Sequence, residues 1–120
     1  MANDVWVYIE HREGQVTPTS FELLGIGKTL ADSLGSNVCG FVIGEGVDAI
    51  AKEAGSYGAT KVYAVDAGVF KGFRADAYSK AAAFMLDKYK PEIALFRSTS
   101  QGMDVAAASA AQLGFGLCTD

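Results

Sequence analysis

Near its C-terminal end the chain joins three segments that leave little freedom of fold. Lys90-Pro91-Glu92 leads into the apolar run Ile93-Ala94-Leu95-Phe96, and the polar stretch Ser98-Thr99-Ser100-Gln101-Gly102-Met103-Asp104 follows. An alanine-rich segment then runs to Leu113-Gly114. Consecutive apolar residues after a proline predict a strand covered on both faces. A short polar turn into a helix of small residues predicts close packing of that helix on the strand. Together they form the repeating unit of an open parallel α/β sheet.

The same alternation recurs upstream. Val5-Trp6-Val7-Tyr8-Ile9-Glu10, rich in β-branched and aromatic residues, reads as the first strand. Pro18 bars helix immediately before it, and Thr19-Ser20-Phe21-Glu22 fits a capping box that would start the first helix. Phe21, Leu24, Leu30, Ala31 and Leu34 recur at helical spacing as its inward face, and Gly35 is placed to stop it. A second strand runs from Val38 to Ile43, broken by Gly44-Glu45-Gly46, and a second helix from about Val47 to Tyr57 ends at Gly58. Lys61 to Val65 reads as the third strand, and a helix from about Arg74 to Tyr89 follows, with Tyr78, Ala81, Ala82, Met85 and Leu86 inward. Strand four spans Ile93 to Arg97, helix four about Met103 to Leu113, and Leu117-Cys118 would begin a fifth strand. Four strand–helix alternations with short links imply right-handed crossovers in one α/β domain over residues 1–120. The expected fold is an open, mostly parallel sheet with helices on both faces, a Rossmann-like three-layer arrangement.

Composition excludes several classes. With a net charge of −4 and ten dispersed basic residues, no face is set up to neutralise phosphates of a nucleic acid. No apolar run approaches the roughly 20 residues needed to cross a bilayer. The start, Met1-Ala2-Asn3-Asp4, lacks the features of a secretory signal, so a cytoplasmic location is expected. Cys39 and Cys118 lie far apart within apolar segments, which suits reduced, buried thiols.

Ligands of open parallel sheets sit beyond the carboxyl ends of the strands. Four loops are therefore candidates: His11-Arg12-Glu13, Gly44-Glu45-Gly46, Asp66-Ala67-Gly68, and Ser98 to Asp104. The last offers hydroxyls and amides at a helix start, a setting that can hold an anion. It has one glycine, no following lysine, and an Asp104 that repels phosphate, so its hydroxyls are read as helix caps. Gly44-x-Gly46 lacks a third glycine and reads as a turn. His11 is the sole histidine, which rules out a site of several imidazoles, and it reads as a solvated turn residue. A triad of His11, Asp66 and Ser98 or Ser100 would lack a nucleophile elbow. Lys71, Arg74, Lys80, Asp76 and Asp87 read as a solvated helix face. No residue is assigned as catalytic, cofactor-binding or metal-ligating.

As a joint pattern the landmarks resemble the N-terminal domain of the electron transfer flavoprotein α subunit. They are Val5-Trp6-Val7-Tyr8-Ile9-Glu10, Phe21-Glu22-Leu23-Leu24-Gly25, Leu30-Ala31-Asp32-x-Leu34-Gly35, Tyr57-Gly58-Ala59-x-Lys61-Val62-Tyr63, Tyr89-Lys90-Pro91-Glu92-Ile93, Ser98-Thr99-Ser100-x-Gly102-x-Asp104 and Ala110-Ala111-x-Leu113-Gly114-x-Gly116-Leu117. The resemblance implies a domain related to the adenine-nucleotide α-hydrolase folds, paired with a β subunit in a heterodimer. Such heterodimers pass electrons from flavin dehydrogenases, among them acyl-CoA dehydrogenases, to a quinone reductase or another acceptor. It further implies that the redox FAD is held mainly by a C-terminal α-subunit domain without counterpart here, and AMP or a second FAD by the β subunit. This stretch would then be a non-catalytic piece that builds the subunit interface, binds no cofactor itself and self-associates when alone. Met103, Ala107 and Ala108 stand where the family commonly carries arginine, proline and arginine, which implies an atypical member serving a specialised dehydrogenase. The competing reading is a free-standing nucleotide-binding module of the universal stress protein type, and a weaker third is a small hydrolase.

Overall fold

The computed structural model describes residues 4–12, 15–16, 18–72, 74–97, 101–102, 104–107 and 118–119. Its elements are β1 (Val5–Tyr8), β2 (His11–Arg12), β3 (Gln15–Val16), α1 (Pro18–Leu34), β4 (Val38–Gly44), α2 (Asp48–Ser56), β5 (Lys61–Asp66), α3 (Ala75–Tyr89), β6 (Ile93–Phe96) and β7 (Cys118–Thr119). A 3₁₀ turn at Gly68–Phe70 precedes α3, and residues 101–102 and 104–107 are helical. Five strands form one sheet in the order β5-β4-β1-β6-β7, every pairing parallel. The expected open Rossmann-like sheet is therefore present, with its order reversing between β1 and β6.

β1 shows how the sequence builds two layers on one strand. Val5, Val7 and Ile9 enter one core with Leu23, Leu24 and Ala31 of α1 and Ile50 and Ala54 of α2. Trp6 and Tyr8 enter the opposite core with Tyr78, Ala82 and Leu86 of α3 and with Val105 and Ala106. Alternate residues of a strand point to opposite faces, so a strand apolar at every position must be covered twice. All seven residues of β4 are likewise buried.

The start of α1 differs from the capping-box reading. Pro18 is the first helical residue, where its missing amide costs nothing and its fixed φ suits the helix, so Thr19 lies inside the first turn. At the other end Gly35, at φ +69°, closes α1 as expected. Its amide bonds Asp32 O at 3.3 Å and the Ser36 amide bonds Ala31 O at 2.9 Å, the paired bonds of a Schellman stop. Leu34, expected inward, is 40% exposed, while Leu23 takes a buried place at 2%. Gly27 explains how closely α1 crosses the sheet: a Cβ there would lie 2.7 Å from Val7 Cγ2 and 2.9 Å from Val38 Cγ2.

Candidate functional site

Where strand order reverses, the carboxyl ends of β1 and β6 face a common crevice. β1 ends there at Tyr8, with Ile9 and Glu10 just beyond it, and the helical segment after β6 contributes Gln101 and Gly102, all buried. The Tyr8 ring stacks on Phe96 at 5.2 Å and meets Phe41 edge-on at 5.8 Å. Gln101 Nε2 donates to the Tyr8 hydroxyl oxygen at 3.3 Å. Burial pushes the Tyr8 phenol well above its ordinary range, against the lowering effect of the Gln101 bond, so it stays a neutral hydroxyl. Glu10, 1% exposed, is fixed through its main chain: its amide donates to Ser20 Oγ at 3.2 Å, and the Ser20 hydroxyl donates to its carbonyl at 3.3 Å. Three polar side chains, one of them acidic, are thus buried close to the strand reversal.

His11 is not the solvated turn residue expected. It stands in β2, paired antiparallel with β3 through His11↔Val16, and only 8% of it is exposed. That hairpin folds the imidazole back over the end of β4, where Nε2 lies 2.7 Å from Ile43 O. A carbonyl only accepts, so Nε2 carries the proton, and Nδ1 is buried with no hydrogen-bond partner among the described residues. The ring rests directly on Gly44, whose position would bring a Cβ to 2.5 Å from Nε2.

The turn from β4 into α2 is also self-satisfied. Asp66, the last residue of β5, accepts from the Gly46 amide at 2.9 Å through Oδ1 and from the Val47 amide at 3.1 Å through Oδ2. Free amides at a helix start can receive a phosphate, and here a carboxylate twenty residues away already takes them. Gly44-Glu45-Gly46 is a turn, as its spacing predicts.

Of the hypothetical triad, His11 and Asp66 are each committed to a different main-chain partner, and Ser98 and Ser100 lie outside the described residues. Thr99 and Met103 also lie outside, while Asp104 is exposed in the helical segment. No group of three or more His, Cys, Asp or Glu side chains placed to hold a metal occurs among the described residues. Sequence reasoning overlooked Tyr8, Glu10 and Gln101 as buried polar groups near the strand reversal. The available signal was a charged residue ending an otherwise apolar strand.

The Electron transfer flavoprotein domain description matches residues 5–120. The chain belongs to the electron transfer flavoprotein family. It is 42% identical over 117 residues to an acryloyl-CoA reductase electron transfer subunit beta of Anaerotignum propionicum, covering 98% of this chain and 32% of that protein. It is 36% identical over 117 residues to the electron transfer flavoprotein subunit alpha of Thermoanaerobacterium thermosaccharolyticum, covering 98% and 36%. A Protein FixB of Azorhizobium caulinodans is 42% identical over 119 residues, covering 97% and 32%. The resemblance to the α subunit therefore holds, and the chain spans about a third of the length of these curated relatives. A solved universal stress protein in complex with cAMP shares the fold at a TM-score of 0.64 and 15% identity, covering 100% of this chain and 98% of that one. No helix among the described residues is long and apolar enough to cross a membrane.

Proposed function

We propose that this chain is the partner-binding N-terminal domain of an electron transfer flavoprotein α subunit, a non-catalytic piece with no cofactor-binding or metal-ligating residue of its own. On this reading it forms one domain over residues 1–120, works in the cytoplasm, and pairs with a β subunit. The assembled flavoprotein carries electrons from a flavin dehydrogenase of the acyl-CoA type to a downstream acceptor. The redox FAD is held by a domain outside these residues, and the exposed sheet edge lets the piece self-associate in isolation. The observation that carries the reading is the electron transfer flavoprotein domain match over residues 5–120, with α-subunit relatives 36–37% identical across nearly the whole chain. The Asp66 carboxylate seated on the α2 amides supports it, because that common anion seat is taken.

Calorimetric titration of the 120-residue chain with FAD and with AMP tests the assignment. No saturable binding of either is expected up to millimolar ligand, together with co-purification of the chain with a coexpressed β subunit. Micromolar binding of an adenine nucleotide by the chain alone would replace this reading with a nucleotide-binding module of the universal stress protein kind. Failure to associate with the β subunit would remove the partner-binding role.

A further inference from the structure

The hairpin, α1 and α2 enclose an open groove of about 510 Å³, lined by Val16, Pro18, Phe21, Glu22, Glu53 and Tyr57 together with Gln15. Its wall is an aromatic pair: the Phe21 and Tyr57 rings stack at 4.3 Å with 7° between their planes. Tyr57 leaves 53% of its surface in water, a large aromatic exposure for a residue already stacked on a neighbour. Glu22 and Glu53 are both exposed, one on α1 and one on α2, and neither has a hydrogen bond or ion pair among the described residues. No basic side chain lines the groove among the described residues.

We infer that this groove receives an arginine side chain presented by another protein. Two carboxylates that are unpaired among the described residues, beside an aromatic face, select a cation. A guanidinium fits better than an ammonium, because it is planar, weakly hydrated, stacks on aromatic rings and forms forked hydrogen bonds to carboxylates. The groove is open rather than enclosed, so it cannot bury most of a free small ligand, as small-molecule sites do. An occupant anchored on a protein surface gains its remaining contacts from the surroundings. Gly25 is suited to that approach: it lies one helical turn beyond Phe21, is exposed, and a Cβ there would meet nothing within 4 Å. The assignment does not depend on where the flavin is held, since it is argued from the groove's own residues.

The test is an NMR titration of the full 120-residue chain at low salt with acetyl-Gly-Arg-Gly-amide, alongside the citrulline and lysine versions of the peptide. The arginine peptide is expected to move the amides of Val16, Phe21, Glu22, Glu53 and Tyr57 saturably, with the citrulline peptide causing no such movement. Tyr57→Ala is expected to weaken binding about three- to fivefold, as loss of an exposed cation–π contact implies. The exposed pair Glu22→Gln and Glu53→Gln, which leaves the core untouched, is expected to weaken it by a similar factor and to remove its salt dependence. Equal binding of the citrulline peptide, equal binding of the lysine peptide, or shifts scattered away from the groove would overturn the assignment. So would concentration-dependent movement of the same amides without peptide, which would assign the groove to a second copy of this chain.

Discussion

Single residues carry the sharpest expectations. Gly27 and Gly25 lie on one helix, yet alanine should act oppositely at the two. At Gly27 the new methyl would sit 2.7 Å from Val7 Cγ2 and 2.9 Å from Val38 Cγ2, so α1 must lift from the sheet. Overpacking costs about 1–3 kcal/mol, which outweighs a helix-propensity gain of about 1 kcal/mol. At Gly25 nothing lies within 4 Å, and Gly25→Ala should stabilise by about 0.5–1 kcal/mol. Urea unfolding of both variants checks the sign. Cys39, fully buried with Sγ 3.5 Å from Asp4 Oδ2, gives a pH expectation. Burial first, then the Asp4 charge, pushes its thiol up from 9.0 to about 11. The folded chain therefore keeps this proton to higher pH than the unfolded chain. The stability tied to it is complete below pH 9 and declines as pH rises toward 11. In a Cys118→Ser background, Ellman's reagent at pH 8 should label the folded chain far more slowly than the chain in denaturant. Equal rates would show an accessible thiol.

At the scale of elements, the decisive contacts come from far along the chain. α2 has no side-chain cap of its own, and Asp66 at the end of β5 takes that role for the Gly46 and Val47 amides. Asp66→Ala should cost about 1–2 kcal/mol in a thermal or urea melt, the range of a lost helix cap. Asp48→Ala, in the first turn with no such bonds, should cost less. This explains which elements were legible in the sequence. The long helices and apolar strands are written in local periodicity, and the left-handed stops at Gly35 and Gly58 appear where glycine allows them. The β2–β3 hairpin was not legible, because two-residue strands hold no period and His11-Arg12 reads as a polar turn. The burial of His11 follows from that hairpin, so it was missed with it. The start of α1 was misread because a capping box and a proline at the first helical position compete within two residues, and the proline prevails.

For the whole molecule, the layered fold was readable while the site was only half so. Alternating apolar strands and amphipathic helices imply the open sheet, and Pro91 with Ile93-Ala94-Leu95-Phe96 marks β6. Which polar side chains are buried near the reversal depends on Gln101 meeting Tyr8, a pairing across most of the chain that no local pattern encodes. The same architecture ranks the strands by protection. β1 pairs with β4 and β6 and is buried along its length, whereas β5 stands at an edge with half of its residues exposed. Native-state hydrogen exchange should find the β1 and β4 amides the slowest and the outward-facing amides of β5 faster. Fast exchange in β1 would contradict the strand order. The placement of β1 also bears on how the protein is made. Val5 is made before both of its partners, Val38 on one side and Ile93 on the other. The Val5–Tyr8 ribbon therefore waits for Ile93 to emerge before both of its edges are covered, and over that interval a chaperone's shelter would guard it from pairing with another chain.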